Sequence, residues 1–115
     1  MTTKSFKGIT ADISEMLAQF SKDMPEVMKG FSSLAQAATK DGALDKKTKE
    51  LIAIALGVAA HCDGCIGFHT KKLVELGATQ EELNEALSMA VYMGGGPSLM
   101  FAAEALRSFK EFKGA

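Results

Sequence analysis

Apolar residues recur along most of this chain at intervals of three and four, the spacing that lines one face of an α-helix. Ile9, Ile13, Met16, Leu17 and Phe20 set a first amphipathic helix over Ile9–Phe20, with Asp12, Glu15 and Gln19 on its other faces. Met24-Pro25 interrupts it, because proline cannot continue a helix but suits the first turn of the next. Val27, Met28, Phe31, Leu34, Ala35 and Ala38 then mark a second helix that stops by Asp41-Gly42. Asp45 offers a cap for a third, Lys46 to Ala60, polar in its first turn and apolar on every side afterwards, which predicts a buried helix. Asp63-Gly64 predicts a break or tight turn, after which Cys65–Leu76 resumes a helix closed by a left-handed Gly77. Thr79-Gln-Glu-Glu82 has the form of a capping box and opens a fifth helix carrying Leu83, Ala86, Leu87, Ala90, Val91 and Met93. Gly94-Gly-Gly-Pro97 interrupts again, and Ser98–Phe112 forms the last. No segment alternates like a strand, so the prediction is an all-α fold of six helices joined by short turns.

The 115 residues suffice for a single domain with one modest core. A net charge of −1 leaves no basic excess to neutralise phosphates, which argues against a nucleic-acid partner. The longest apolar run, Leu51 to Ala60, is about half of what a bilayer span requires. The N-terminal residues lack the basic-then-apolar pattern of a signal peptide, so no membrane association and a cytoplasmic address are expected. Seven methionines and seven phenylalanines are many for a chain this short. The weakly polar faces of Met89–Met93 and Leu99–Ala105 are expected either to be covered by a second copy or to pack into the core of one chain.

The reactive side chains are concentrated in one stretch, from Glu50 to His69, which holds both cysteines and both histidines. In a reducing compartment a Cys-x-x-Cys pair points to redox chemistry or metal binding. Cys62 and Cys65 fall at the start of a helix, where free N–H groups and the helix dipole favour a thiolate. His69 lies four residues after Cys65, on the same helical face one turn on. Glu50 comes twelve residues before Cys62 on the preceding helix. There it is either an ordinary first-turn glutamate paired with Lys46 or Lys49, or a carboxylate that folds back towards the cysteines and accepts a proton. His61, Cys62, Cys65 and His69 could alternatively supply four ligands to a structural or regulatory zinc ion.

The spacing of Glu50, Cys62-x-x-Cys65 and His69 resembles the signature of the carboxymuconolactone decarboxylase and alkylhydroperoxidase D-like superfamily. The flanking Leu44-Asp-x-Lys-x-Lys-Glu-Leu-Ile-Ala-Ile-Ala and Leu76-Gly-Ala-Thr-x-Glu-Glu-Leu-x-Glu-Ala-Leu are similar to it too, so the likeness runs from about Gly42 to Phe109. The resemblance implies an all-helical subunit found as a trimer or hexamer, with the cysteines in a cleft near a subunit interface. It makes Cys65 the thiol oxidised by a peroxide to a sulfenic acid and Cys62 the partner that closes the disulfide. Glu50 and His69 become the proton relay, and no cofactor is required. The substrate is then a peroxide or a disulfide, and an unidentified thiol reductant restores the pair. A generic helix-starting Cys-x-x-Cys instead makes its first cysteine, Cys62, the low-pKa nucleophile. Both hold if peroxide reaches Cys65 and the reducing partner reaches Cys62. Members with established peroxidase activity carry a histidine where this chain has Gly64, and the extra histidine here is His61, which predicts a rearranged relay. Three alternatives stand beside this reading: the zinc site, an oligomer whose assembly responds to the disulfide, and a decarboxylase acting on a small lactone. The last is disfavoured because true carboxymuconolactone decarboxylases generally lack the cysteine pair.

Overall fold

The computed structural model describes residues 4–114 and arranges them as α1 (Phe6–Asp23), α2 (Pro25–Ala38), α3 (Lys46–Ala59), α4 (Asp63–Glu75), α5 (Gln80–Gly94) and α6 (Gly96–Lys113). The described residues contain no strand, and the predicted all-α class is the observed one. The signals at the helix ends act as their chemistry requires. Asp45 accepts from the Thr48 N–H at 2.8 Å, Pro25 occupies the first turn of α2, and Thr79 with Glu82 forms the capping box at the start of α5. Gly77, at φ 75°, closes α4 while its own N–H reaches the Val74 carbonyl and that of Ala78 reaches the Leu73 carbonyl. This pairing satisfies two carbonyls that the last turn leaves free.

The core lies where α4 meets α1, α3 and α6 and where α3 meets α5. Phe6, Ile54, Ile66, Leu73, Leu83 and Phe109 are completely buried there. Gly67 makes the crossing of α1 over α4 possible, since any Cβ at that position would run into the Thr10 methyl. Two hydroxyls inside this core, on Thr70 and Ser108, hydrogen-bond to each other and tie α4 to α6. Both are fully buried, and neither is left without a partner.

Three expectations change. The first helix begins one turn earlier than its apolar pattern suggests, because Ser5 accepts from the Gly8 N–H and the Glu111 carboxylate accepts from the Phe6 and Lys7 N–H groups. Gly94-Gly-Gly-Pro97 is barely an interruption: α5 runs through Gly94, Gly95 alone turns the chain at φ 71°, and α6 starts at Gly96. Gly94 is required because a Cβ there would overlap the buried Ser98 side chain, so this glycine serves close packing within the chain, whereas Gly95 serves the turn.

The third change concerns α3, which is not buried on all sides within one chain. Glu50, Ile54, Gly57 and Val58 face inwards, but Ile52 is 46% and Leu56 65% exposed. The α3 helix packs against α4, α5 and α6, and α2, which rests on α1, is not laid over its other side. The outward face is therefore apolar and uncovered. Met89, Met93, Leu99 and Met100 are likewise exposed and do not belong to the core of the single chain. The α2 helix buries no residue and rests on α1 alone, presenting Val27, Phe31 and Leu34 outwards. Among the described residues no helix is long and apolar enough to cross a membrane.

Candidate functional site

The end of α3 and the start of α4 deliver the cysteines. The last turn of α3 closes with His61 in the left-handed conformation, φ 56°, its N–H bonded to the Val58 carbonyl at 3.0 Å and that of Cys62 to the Gly57 carbonyl at 3.1 Å. This is the arrangement usually completed by glycine, and a histidine held there stores conformational strain of about 1–2 kcal/mol. The imidazole is held by stacking on the Phe101 ring of α6, with centroids 4.7 Å apart and planes 8° from parallel. The chain reverses so sharply that α4 starts at Asp63, two residues before the start predicted from the pattern.

Cys62 is the cap of α4, and its sulfur accepts from the Cys65 N–H at 3.1 Å. A thiol at this position is where a helix start most favours negative charge. The two cysteines are joined as a disulfide, with Cα atoms 5.2 Å apart. Both are half-buried. On the α3 side Gly57 leaves room for Cys65, since a Cβ on Gly57 would stand 3.0 Å from the Cys65 Cβ.

Two turns before Gly57 on the same face of α3, Glu50 meets His69 of α4. The carboxylate is within 3.0 and 3.3 Å of His69 Nδ1 through its two oxygens. Glu50 therefore turns towards α4; it is not the solvent-facing partner of Lys46 or Lys49. The Lys49 ammonium instead donates to the Lys40 carbonyl. The Glu50 side chain is 6% exposed and that of His69 34%, so the pair leads from the interior towards solvent. A carboxylate only accepts, which assigns the hydrogen to Nδ1 and leaves Nε2 as the basic nitrogen. A buried carboxylate orienting an imidazole in this way is the arrangement that lets a histidine accept and return a proton.

Of the predicted site residues, Glu50 and His69 are in direct contact, Cys62 and Cys65 are bonded, and Cys65 and His69 lie one turn apart on one helix. Gly64 lies against α1, where a Cβ would come within 2.9 Å of Ile13 Cδ1. A larger side chain at this position would have to displace the terminal methyl of Ile13. His61 lies on α6 through its stack with Phe101, and among the described residues no three of His, Cys, Asp and Glu converge to hold a metal ion. A further contact carries no signal in the sequence: Lys4 Nζ lies 3.2 Å from Asp63 Oδ1, inside the Cys-x-x-Cys loop, and 3.2 Å from Glu104 Oε2 of α6. No local pattern reveals a pairing across 59 residues.

The pattern of the carboxymuconolactone decarboxylase family matches residues 25–108, which contain the whole Glu50–His69 site. An uncharacterised protein of Cupriavidus necator is 39% identical over 107 residues, covering 93% of this chain and 95% of its own. The crystal structure of a carboxymuconolactone decarboxylase family protein from Legionella pneumophila is 72% identical, covers 94% of this chain and 96% of its own, and superposes with a TM-score of 0.93. A Thermotoga maritima structure is 29% identical and superposes with a TM-score of 0.80, over 91% of this chain and 93% of its own. A part in an antioxidative response has been suggested for that Thermotoga protein. With the match spanning most of the chain and the helical fold shared throughout, this protein belongs to the carboxymuconolactone decarboxylase family.

Proposed function

We propose that the protein is a thiol-dependent oxidoreductase that reduces peroxides by cycling Cys62 and Cys65 between dithiol and disulfide. The observation that carries this reading is the buried Glu50 carboxylate on His69 Nδ1, on the helix whose first turn holds the cysteine pair. In the reduced protein His69 Nε2 takes the Cys65 proton while Glu50 steadies the imidazolium. The Cys65 thiolate attacks a peroxide oxygen, the O–O bond breaks, and the leaving alkoxide takes the proton of Cys62 and departs as an alcohol. Cys65 is then a sulfenic acid. The Cys62 thiolate attacks its sulfur, the S–O bond breaks, and the hydroxide released takes the proton held on His69 and leaves as water. The sum is one peroxide and two thiols giving one alcohol, one water and one disulfide. A dithiol reductant attacks Cys62 and returns the pair to the reduced state through a mixed disulfide. The part suggested for the Thermotoga protein in an antioxidative response is in keeping with this chemistry. The test is peroxide consumption with dithiothreitol as reductant. Cys62→Ser and Cys65→Ser are expected to abolish turnover, and wild-type rates in either variant would reject the cycle.

The second reading concerns assembly. The uncovered apolar faces of α2 and α3 support a homo-oligomer, in keeping with the trimers and hexamers that the family resemblance implies.

A further inference from the structure

The Cys-x-x-Cys loop carries a carboxylate, Asp63, immediately after Cys62, at the helix start where a thiolate must form. Left to itself, that negative charge opposes ionisation of the neighbouring thiol. The chain brings a cation to it from 59 residues away: Lys4 Nζ is 3.2 Å from Asp63 Oδ1 and 3.2 Å from Glu104 Oε2. The ammonium also sits over the fully buried Phe6 ring, 5.2 Å from its centroid, which fixes the direction from which it approaches. Burial works against the charge on Lys4, but the bonds to Asp63 and Glu104 outweigh it and raise the pKa, so the cation persists throughout the working range. Glu104 Oε2 also lies 3.5 Å from Arg107 Nε, an ion-pair distance without a hydrogen bond, and Glu104 comes one turn after Phe101, whose ring holds His61. One face of α6 thereby grips the redox loop at two points, on either side of Cys62.

We infer that Lys4 is a positioning residue of the redox site: by bridging Asp63 to Glu104 it offsets the carboxylate inside the Cys-x-x-Cys loop, fixes the loop on α6 and raises the thiolate fraction of the cysteine pair. The other charged or titratable groups around the pair are His61, His69 and Glu50. Of these, His69 and Glu50 are engaged with each other and His61 with Phe101, so none of them pairs with Asp63. The effect rests on the cysteines being a redox couple, but it is read without peroxide turnover and therefore stands or falls separately from the proposed activity.

The experiment is the pH dependence of alkylation of the reduced protein by iodoacetamide, with thiolate absorbance at 240 nm as a second readout. Lys4→Met is expected to raise the apparent thiol pKa and slow alkylation at pH 7 about two- to threefold, the size of one partly screened charge. Lys4→Arg is expected to restore the rate, and the difference between wild type and Lys4→Met is expected to shrink in high salt. Asp63→Asn acts from the other end and is expected to lower the pKa, and Lys4→Met made in that background should have less effect than in the wild type. A thiol pKa unchanged in a folded Lys4→Met protein would overturn the inference, as would an equal effect of that substitution with and without Asp63. Should Lys4→Met not fold, Asp63→Asn decides alone, and a pKa that fails to fall rejects the electrostatic role.

Discussion

Gly57 of α3 and Cys65 of α4 approach so closely that a Cβ on the glycine would lie 3.0 Å from that of the cysteine. Both positions are fixed by helix backbones, so a larger side chain at 57 cannot turn aside and must part the helices. Gly57→Val is expected to destabilise the protein by about 1–3 kcal/mol, the usual cost of overpacking a tight contact. Because Glu50 and His69 span the same two helices, the substitution should also slow oxidation of the dithiol. Urea denaturation and the rate of disulfide closure under peroxide check the two effects, and an unshifted midpoint would show that the contact is not tight.

Ile13 occupies the space next to Gly64, where a Cβ would meet its terminal methyl at 2.9 Å. A histidine placed at 64 alone would have to displace that methyl, whereas removing the isoleucine side chain makes room. Gly64→His is expected to leave the peroxide rate unchanged or lower. Gly64→His combined with Ile13→Ala should exceed the single variant by at least about tenfold, less than the roughly hundredfold or more of an optimally placed acid–base group. Steady-state peroxide consumption compares the two. Equal rates would mean that the added imidazole does not reach the cysteines even when α1 is cut back.

Most of the helices are legible because their ends carry residues that satisfy the free backbone groups there, by a side chain or by a left-handed turn. Asp45, Thr79, Glu82 and Gly77 all act where the sequence places them. The site was legible in part. Glu50 and His69 are separated by 19 residues, and nothing local in the sequence distinguishes a glutamate that faces α4 from one that faces solvent. What escaped the pattern was set by tertiary contact. His61 takes a left-handed conformation that composition would assign to glycine, and the stack with Phe101 that holds its ring comes from α6. Lys4 carries no local signal because its partners, Asp63 and Glu104, lie on α4 and α6. The α3 helix is a different case: its apolar pattern signals burial, and one chain covers only its inward face.

Glu111 of α6 holds the start of α1. Its carboxylate accepts from the Phe6 N–H at 2.8 Å, the Lys7 N–H at 3.2 Å and the Ser5 hydroxyl at 2.6 Å. Burial pushes the pKa of this carboxyl up, but the hydrogen bonds from Ser5, Phe6 and Lys7 together outweigh it and hold the group below its ordinary value of 4.5. A folded-state pKa below the unfolded one means that the contribution to stability is complete above about pH 5 and is lost as the pH falls through the depressed value. Glu111→Gln is expected to cost about 1 kcal/mol at pH 7, as the loss of a capping interaction does. The difference from wild type should narrow as acid protonates the wild-type carboxyl. Denaturation midpoints at pH 7 and pH 3.5 test both parts, and a difference that stays constant would place the effect in packing and not in charge.

Leu56 is 65% exposed and Ile52 46% on the outer face of α3, while Phe31 and Leu34 of α2 are each 63% exposed. A 14-residue helix that rests on a single neighbour is marginal in water, and an apolar face of this kind on a monomer would favour association. The wild-type protein is therefore expected to sediment as an oligomer at micromolar concentration. Leu56→Glu places a charge on the outer face without removing a residue from the core, so its helical content should be retained. Sedimentation should nevertheless shift to smaller species, because burying an unpaired carboxylate between subunits is costly. The same substitution should lower the thermal midpoint in a concentration-dependent way, since subunit association stabilises the folded chain by mass action. Velocity sedimentation with far-ultraviolet circular dichroism on the same samples separates dissociation from unfolding. A wild-type protein that remains monomeric, or a Leu56→Glu variant that assembles unchanged, would show that this face is not an interface between subunits.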